Sequence, residues 1–310
     1  MGSLYDLLKR ETALPDRDLQ KIIATAPARY KTYKIPKRNS EKMRVISQPA
    51  KEVKLMQRVL MREFLSNFPI HKAATAYKSG SSIRDNAAAH VGRGPILKFD
   101  FKDFFPSITE NDWRKYAEGR GIAELDIEIS TKIFFKKEFN RSLLRLSIGA
   151  PSSPILSNIL MFGIDERISA EIASDEVSYT RYADDITFSA PRTGYFNGLE
   201  RHLRMILREI EYPALKINSE KTVYATSKFR RQVTGLVLTN DGQISVGRDR
   251  KRNLFAAVHH ALNGRLNDEQ IEEVLGLIAF VSSIEHDFKD RLEKKYGPEV
   301  VRRLYRCKQN

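Results

Sequence analysis

Three aspartates of this chain could bring carboxylates to one point, and carboxylate oxygens are the ligands that hold Mg²⁺. Two of them, Asp184 and Asp185, lie in the segment Y-T-R-Y-A-D-D-I-T-F-S from Tyr179 to Ser189. Its alternating residues predict two short strands joined by a turn at Ala183-Asp184-Asp185. A turn can present both carboxylates to one site, which an extended strand does not do. A solvated acidic turn is the ordinary alternative for an Asp-Asp pair taken alone.

The third carboxylate, Asp100, directly follows Ile96-Leu97-Lys98-Phe99, a run that reads as a buried strand. A carboxylate that leaves a buried strand needs a cation or a hydrogen-bond donor, because burying an isolated charge is costly. Two Mg²⁺ ions about 3.5 to 4 Å apart would stabilise the attacking and leaving oxygens of a phosphoryl transfer. Mn²⁺ could substitute for them. The three acids therefore indicate nucleotidyl transfer, with a strand-end 3′-hydroxyl as the attacking group.

The overall charge favours a polyanionic partner. The chain of 310 residues has 53 basic against 39 acidic residues and a net charge of +14, spread along its whole length. Such a surplus is typical of nucleic-acid binding. No apolar run approaches the roughly 18 residues that span a bilayer, and the first ten residues lack a signal-peptide pattern, so we expect a cytoplasmic protein without a membrane partner. The single cysteine, Cys307, excludes an intrachain disulfide and a cysteine zinc site.

The remaining patterns predict a mixture of helices and hairpins. A D-G step at Asp241-Gly242 predicts a hairpin turn, Pro154 is placed at the first position of a helix, and Lys221 follows a short strand. Phe104-Phe105-Pro106 reads as an aromatic turn. Helices are predicted over 3–10, 16–26, 51–67, 112–137, 197–210, 249–263, 268–283 and 287–296, with a last one from Pro298, and strands over 96–99, 141–146, 179–189 and 231–246.

The segment from Tyr30 to Pro49 predicts a basic hairpin around an Asn39-Ser40 turn. Its cations could line a groove for phosphates, but edge strands also carry such residues simply to prevent aggregation. The two readings remain open on this segment alone. The cations are Lys31, Lys34, Lys37, Arg38, Lys42 and Arg44.

Two other stretches could contact a ligand. Asn86 and His90 stand four apart in a segment that predicts a loop passing into a helix, so they share one helical face. An ordinary helix start would look the same. Small residues over 149–158, G-A-P-S-S-P-I-L-S-N, would let a base pair approach the backbone, although a tight turn without a ligand needs them equally.

Together these motifs resemble the palm of reverse transcriptases. Tyr182-Ala183-Asp184-Asp185, Asp100 within F-D-F-K-D-F-F, and G-A-P-S-S-P match that family in order and spacing. Asn86-Ala-Ala-Ala-His90 and Val233-Thr-Gly235 are similar to the N-A-x-x-H and V-T-G motifs of its retron branch. The resemblance covers nearly the whole chain.

The resemblance implies an α+β fold with right-hand polymerase architecture, in which an antiparallel palm sheet is backed by helices. It divides the chain into an N-terminal helical extension (1–29), fingers (30–92), palm (93–230, with a helical insertion at 112–147), and primer-grip hairpin with helical thumb (231–310).

The resemblance also implies roles for single residues. Asp100 and Asp184 would be the principal ligands of two Mg²⁺ ions, with Asp185 supporting. Phe105 would be the steric gate that rejects a 2′-hydroxyl, and Lys221 would protonate the pyrophosphate leaving group. Arg44, assisted by Lys42 or Lys37, would hold the incoming triphosphate. Contacts with template, primer or RNA would come from Asn86, His90, Gly149, Ala150, Pro151, Ser152, Val233, Thr234, Gly235, Arg248, Arg250, Lys251 and Arg252.

Retron enzymes resembling this chain use dNTPs to copy part of a cognate structured non-coding RNA into single-stranded DNA that stays joined to it. They prime from a 2′-hydroxyl of an internal guanosine and act with an effector protein in anti-phage defence. We expect host RNase H to act separately, since the chain leaves no room for a nuclease domain. One departure is Ile148, where the family often has Gln; we expect an effect on processivity or fidelity.

Three alternatives remain. A group II intron-like or diversity-generating reverse transcriptase is the nearest, disfavoured by the N-A-x-x-H and V-T-G pair. An RNA-binding scaffold that restrains an effector, with secondary catalysis, is another. A two-metal nuclease would degrade nucleic acid with Mg²⁺ alone and ignore dNTPs.

Overall fold

The computed structural model describes residues 3–37, 41–139, 141–173, 175–299 and 302. The predicted Asn39-Ser40 turn, Arg38, Cys307 and most of the helix predicted from Pro298 lie outside these ranges. The helices are α1 (Leu4–Thr12), α2 (Asp16–Thr25), α3 (Lys51–Glu63), α4 (Ile83–Ala88), α5 (Phe104–Ser107), α6 (Glu110–Glu118), α7 (Glu124–Phe134), α8 (Ser152–Leu160), α9 (Phe162–Glu171), α10 (Leu199–Glu209), α11 (Arg248–Leu262), α12 (Asp268–Ile284) and α13 (Phe288–Tyr296).

Within these described ranges the strands form three sheets. They are β1 (Tyr30–Pro36), β2 (Met43–Pro49), β3 (Ile96–Asp100), β4 (Ser178–Tyr182), β5 (Asp185–Ser189), β6 (Val223–Ala225), β7 (Arg231–Val233), β8 (Leu236–Leu238) and β9 (Ile244–Ser245). β1 and β2 pair antiparallel, with Tyr33 opposite Ile46 and Ile35 opposite Arg44. A four-stranded sheet has the order β4-β5-β3-β6, and a three-stranded antiparallel sheet has the order β7-β8-β9. The predicted α+β class is confirmed.

Hydrophobic periodicity explains most helices. α10 buries Leu199, Leu203, Ile206 and Leu207 on one face, as the spacing of three and four residues requires. Capping explains several helix starts. At α4 the hydroxyl of Ser82 accepts from the amide of Asp85, and the backbone amide and hydroxyl of Ser82 donate in return to the Asp85 carboxylate.

Four local predictions were wrong. Residues 141–146 form no strand, because only Arg145 pairs, in isolated bridges to Thr109 and Lys136. Phe104-Phe105-Pro106 lies in the short helix α5, and Pro154 is the third residue of α8, after Ser152. Lys221 ends a 3₁₀ turn that precedes β6, so the short strand that was predicted directly before Lys221 is not formed.

Contacts divide the chain into two compact units, each with its own core. The first holds residues 1–81, 97–188 and 194–223, and the second holds 82–96, 189–193 and 224–310. The first core gathers large side chains such as Trp113, Phe99 and Phe188, and the second gathers Leu254, Ile278 and Phe288. The four-part division into extension, fingers, palm and thumb stays a prediction. Within the described ranges no helix combines the length and apolarity needed to cross a bilayer.

Candidate active site

The three predicted aspartates lie together in the first unit. Asp100 ends β3, and the β4-β5 hairpin turns at Ala183-Asp184, so that Asp185 is already the first residue of β5. β3 and β5 are neighbours in the sheet, and the amide of Phe101 donates to the carbonyl of Asp184 over 3.1 Å. Adjacent strands therefore bring residues more than 80 positions apart in sequence to one end of the sheet. Their role as metal ligands stays a prediction.

The acids influence one another's ionisation. Burial, followed by the charges of Asp185 and Asp100, raises the pKa of Asp184 to about 6. Burial also raises the pKa of Asp185, with Asp100 adding to the rise while Lys98 and Lys221 oppose it. Such shifts are expected where carboxylates share a partly desolvated site. They indicate a concentration of negative charge that a cation would relieve.

Lys221 supplies a positive charge at this point. Its Nζ donates to both carboxylate oxygens of Asp100, each over 2.9 Å. The neighbouring Asn218 amide donates to the carbonyl of Asp100 over 2.7 Å, which fixes the segment beside the strand end. Burial acts against the charged ammonium, but the bond to Asp100 and the nearby acids outweigh it and raise the pKa of Lys221. Lys221 and the three acids therefore form one electrostatic cluster.

The donor set suits a hard divalent cation, although the carboxylates are not arranged as a finished site. Among the residues that the structure describes, no three potential ligands are grouped as a metal would need. Lys221 instead pairs with both oxygens of Asp100, so a cation bound by Asp100 would have to displace this ammonium. Partly buried carboxylate oxygens fit Mg²⁺ or Mn²⁺, provided that Lys221 releases Asp100.

A cavity of about 350 Å³ in the first unit contains several of the predicted substrate residues. Phe105 lines it together with Gly149, Ala150 and Pro151, while the role of Phe105 as a steric gate stays a prediction. Ile148, the departure from the family pattern, also lines the cavity. Ser152 does not line it, whereas its equally buried neighbour Ser153 does. The remaining lining residues are Lys54, Tyr77, Ser147 and Pro154.

Gly149 is required by close packing. Its φ is +117°, and a Cβ there would lie 2.9 Å from the carbonyl oxygen of Ser47 on β2. The amide of Ser47 in turn donates to the carbonyl of Ile148 over 2.7 Å. The glycine therefore lets the cavity loop lie directly on the basic hairpin, in addition to any approach of a base pair.

Arg44 lies on β2 of that hairpin, and Lys42 directly precedes β2. Both residues are exposed. The charge of Arg44 acts on the phenol of Tyr77, as does that of Asp184, so Arg44 is near the carboxylate cluster. This placement suits a cation that binds phosphates, and the role of Lys42 beside it stays a prediction.

Tyr77 is a candidate that the sequence analysis missed. It lines the cavity beside Phe105, with ring centroids 6.4 Å apart, and is 49% exposed. Its φ of 60° is unusual for an aromatic residue and marks backbone strain. Burial, followed by the charge of Asp184, raises its pKa. A single exposed Tyr in a loop gives no sequence signal, because neither its strain nor its neighbours can be read locally.

We expect Tyr77→Asn to raise the KM for dNTPs about tenfold, as loss of one apolar contact in a pocket does. Asn tolerates positive φ, so the loop should keep its shape. Steady-state kinetics on a primed RNA template measure this, and Tyr77→Phe, which keeps the ring, should leave KM near that of the wild type. An equal change in both variants would mean that the hydroxyl, and not the ring, matters.

Comparison with known proteins identifies the family. A family model described as reverse transcriptase (RNA-dependent DNA polymerase) matches residues 35–252. The retron Ec83 reverse transcriptase of Escherichia coli is 38% identical over 304 residues, which cover 95% of each chain. The retron Ec86 reverse transcriptase of the same organism is 33% identical, covering 96% of this chain and 91% of the other. The chain belongs to the retron reverse transcriptases. It is therefore an RNA-directed DNA polymerase.

This assignment rests on sequence. Among solved structures, telomerase from Candida albicans in complex with a fragment of telomeric RNA aligns with a TM-score of 0.49 at 15% identity, covering 88% of this chain and 56% of that one. The family match and the antiparallel sheets packed with helices agree with the predicted polymerase fold.

The V-T-G motif of this reverse transcriptase forms a hairpin turn in the second unit. Thr234 and Gly235 are the two loop residues between β7 and β8, with φ of 47° and 76°. Positive φ at both positions is the pattern of a type I′ turn. Val233 is fully buried, the hydroxyl of Thr234 donates to the carbonyl of Ile83 over 3.0 Å, and Gly235 is exposed. Gly235 is thus the member of the motif that RNA could reach directly.

The structure separates the predicted cations of α11 into two groups. Arg248, Arg250 and Arg252 are exposed at the start of the helix. Lys251 instead donates to the carboxylate of Glu285, which is only 8% exposed, over 3.0 Å. Lys251 therefore has a buried structural partner, whereas the three arginines are exposed; contact of any of the four with RNA phosphates stays a prediction.

Asn86 and His90 are buried in the second unit, at 1% and 0% exposure. The Nδ1 atom of His90 lies 2.7 Å from the hydroxyl of Ser189. The predicted shared helical face is wrong, because α4 ends at Ala88 and His90 lies in the turn that follows it. Their contact with RNA stays a prediction. Phe229 is an exposed aromatic residue that the sequence analysis did not single out. Its side chain is 68% exposed, and its neighbours in the chain are Lys228 and Arg230.

Glu285 should stabilise the second unit in a pH-dependent manner. Burial would raise its pKa, but hydrogen bonds from Arg291, Ser245 and Lys251 outweigh burial and lower it to about 2. Since the folded pKa is below the ordinary 4.5, the stabilisation is present above that value and disappears as the pH falls toward 2.

We expect Glu285→Gln to lower the free energy of unfolding by about 2 kcal/mol at pH 7, and by much less at pH 2.5. Denaturant titration at several pH values measures the difference. Glu273→Gln, on the exposed face of α12, is the matched control and should match the wild type throughout. A difference that stayed constant with pH would contradict the ionic explanation.

Proposed function

We propose that this polymerase copies part of a cognate structured non-coding RNA into single-stranded DNA that remains joined to the RNA. The observation that carries the proposal is the meeting of Asp100, Asp184 and Lys221 at a sheet end in the same unit as a cavity lined by Phe105. Acids, a lysine and an aromatic cavity are the parts that template-directed nucleotide addition needs. The named retron relatives support the choice of RNA as template.

Asp100 and Asp184 hold the cations in this proposal, and Asp185 supports them. Two Mg²⁺ ions would lower the barrier by stabilising charge on the attacking and leaving oxygens. Lys221 neutralises Asp100 in the absence of substrate and, once released, is close enough to donate a proton to pyrophosphate. Mn²⁺ suits the same oxygen donors.

The cavity residues select and hold the incoming nucleotide. In this proposal Phe105 and Tyr77 lie against the sugar, in a cavity that the loop at Gly149 also lines. Arg44, with Lys42 assisting, binds the triphosphate, since an exposed guanidinium can form two parallel hydrogen bonds with phosphate oxygens. Arg248, Arg250 and Arg252 contact RNA phosphates in the second unit, with Gly235 beside them: Arg250 donates to its carbonyl over 3.3 Å.

The biological setting extends the proposal. A DNA that stays joined to its RNA would be a ribonucleoprotein product, which a neighbouring effector protein could monitor in anti-phage defence in the cytoplasm. Host RNase H would remove the copied RNA. The net charge of +14 suits a protein that remains bound to both strands.

Nucleic acid that co-purifies with the protein tests the proposal. We expect one DNA species of defined length whose mobility changes after RNase treatment and which DNase destroys. The variant Asp184→Asn, purified in parallel, should carry the RNA without the DNA. Random cellular RNA alone in the wild-type preparation would reject the retron assignment, while primer extension on a generic template would still report polymerase activity.

The large positive charge also favours a second candidate, an RNA-binding scaffold that restrains an effector. The double variant Asp184→Asn, Asp185→Asn separates the two functions. A scaffold keeps its biological effect without DNA synthesis, whereas a polymerase-dependent system loses both. Degradation of RNA with Mg²⁺ alone and no use of dNTPs would indicate the nuclease alternative.

A further inference from the structure

The catalytic hairpin contains an arginine that is completely buried. Arg181, on β4 and two residues before the turn, has 0% side-chain exposure, as does its partner Asp165 on α9. Its Nε donates to Asp165 Oδ1 over 2.8 Å and its Nη2 donates to Asp165 Oδ2 over 2.6 Å. This parallel pair fixes the plane of the guanidinium.

The third nitrogen of the guanidinium is directed toward the turn. Nη1 donates to the carbonyl of Ala183 over 3.1 Å and to Asn158 Oδ1 over 3.0 Å. Asn158 is itself held, because its side-chain amide donates to the carbonyl of Ala76 over 2.9 Å. The Ala183 carbonyl is thus tied, through one side chain, to α8 and α9 behind the sheet.

The turn needs such support. Ala183 has a φ of 57°, which a residue with a Cβ adopts only at a cost in free energy. It is buried and directly precedes Asp184. A relaxed Ala183 would change the direction in which the Asp184 carboxylate leaves the hairpin, so the strain is located where it affects the acid.

The backbone of Arg181 is fixed as well. Its amide donates to the carbonyl of Ala73 over 2.8 Å, and its carbonyl accepts from the amide of Thr75 over 2.9 Å. The segment 73–75 therefore lies along β4 and leaves the side chain little freedom to follow a moving turn. Strand and helices together make Arg181 a rigid link.

We propose that Arg181 is a positioning residue, which holds Ala183 in the left-handed region and thereby aims Asp184 at the cation. The role of Asp184 as a cation ligand belongs to the proposed function, on which this inference rests. A buried ion pair adds little net stability compared with an apolar pair of the same size, so stability alone does not account for this one. The geometry of the Arg181–Asp165 pair explains why it is present, because one planar guanidinium joins α8, α9 and the strained turn.

Arg181→Lys is the decisive variant. An ammonium can remain paired with Asp165, but it lacks the fork that serves Asp165, Asn158 and Ala183 together. We expect the kcat for nucleotide addition to fall about 10- to 100-fold with the KM for dNTPs nearly unchanged, since small misplacements of catalytic groups have effects of this size. Affinity for Mn²⁺, titrated by electron paramagnetic resonance without substrate, should fall about tenfold.

Gln57→Met is the matched control in the same unit. Gln57 is fully buried and donates to the carbonyl of Ile133 over 2.8 Å and to the Tyr30 hydroxyl over 3.0 Å, away from the hairpin. It should lower the melting temperature without changing Mn²⁺ affinity. In contrast, adding Ala183→Gly to Arg181→Lys should restore part of the affinity, because glycine adopts positive φ without strain.

If Arg181→Lys does not fold, Asp165→Asn replaces it, since it keeps the shape and an acceptor oxygen; we expect a threefold to tenfold loss of Mn²⁺ affinity. Wild-type Mn²⁺ affinity and kcat in the folded variant, with a lower melting temperature alone, would overturn the inference and leave a structural role. A wild-type protein that neither binds Mn²⁺ nor extends a primer would instead reject the proposed function.

Discussion

Replacing Asp184 by Asn should abolish DNA synthesis while the protein still folds and binds RNA. The carboxylate is one of two acids proposed to hold the cations, and cation stabilisation of the transition state supplies several kcal/mol. Since about 1.4 kcal/mol corresponds to a factor of ten in rate, we expect a loss on the order of 10³-fold or more. Single-nucleotide extension of a primed RNA, measured under single-turnover conditions, reports it directly.

Asp103→Asn provides the control, because it removes the same charge three residues after Asp100. Asp103 is exposed, lies at a φ of 48° that Asn also tolerates, and is the N-cap residue of α5 without a capping hydrogen bond to its side chain. It should retain nearly full activity. Comparable losses in both variants would show that total negative charge, and not the position of Asp184, controls the rate.

Asp184→Asn should also make the cation-free protein more stable. Burial and the neighbouring acids raise the folded pKa of Asp184 from 3.8 to about 6, so the folded state is favoured below pH 3.8 and loses that advantage as the pH rises through 6. At pH 8 in EDTA, Asp184→Asn should therefore add about 1 to 3 kcal/mol to the free energy of unfolding. At pH 3.5 the two proteins should unfold alike, and a variant less stable at pH 8 would contradict the account.

The sequence was informative where a pattern is local. Alternation around Y-A-D-D predicted the β4-β5 hairpin, and the apolar run before Asp100 predicted β3. Both follow from strand periodicity, which depends only on neighbours along the chain. That these two segments meet was inferred from the aspartates they contain, since a buried carboxylate needs a partner. Their roles in metal binding stay predictions.

Features that depend on distant parts of the chain were not predictable in this manner. Tyr77 gave no signal because its role follows from a positive φ and from Phe105, which is 28 positions away. Lys251 looked like its arginine neighbours, yet Glu285 holds it through a contact made only by folding. Residues 141–146 looked like a strand because apolar and basic residues mix there, but a strand needs a partner along its whole length, and only Arg145 pairs.

Replacing Phe105 by Ala should let this polymerase accept ribonucleotides. The ring lines the 350 Å³ cavity together with Tyr77 and the loop at Gly149, and in the proposed function it lies against the sugar of the incoming nucleotide. Without the ring, the hydroxyl has room and steric rejection is lost. A pocket wall discriminates by about 1 to 3 kcal/mol, so we expect the preference for dNTPs over rNTPs to fall about 10- to 200-fold.

Competing incorporation of dNTPs and rNTPs on one template measures this preference, and two variants define its cause. Phe104→Leu alters the adjacent ring, which is buried in the core and does not line the cavity; it should lower stability and leave sugar selection intact. Phe105→Tyr keeps the ring and should keep the selection. Loss of selectivity in Phe104→Leu as well would mean that the shape of α5, and not the Phe105 ring itself, discriminates between the sugars, since both phenylalanines lie on that one helix.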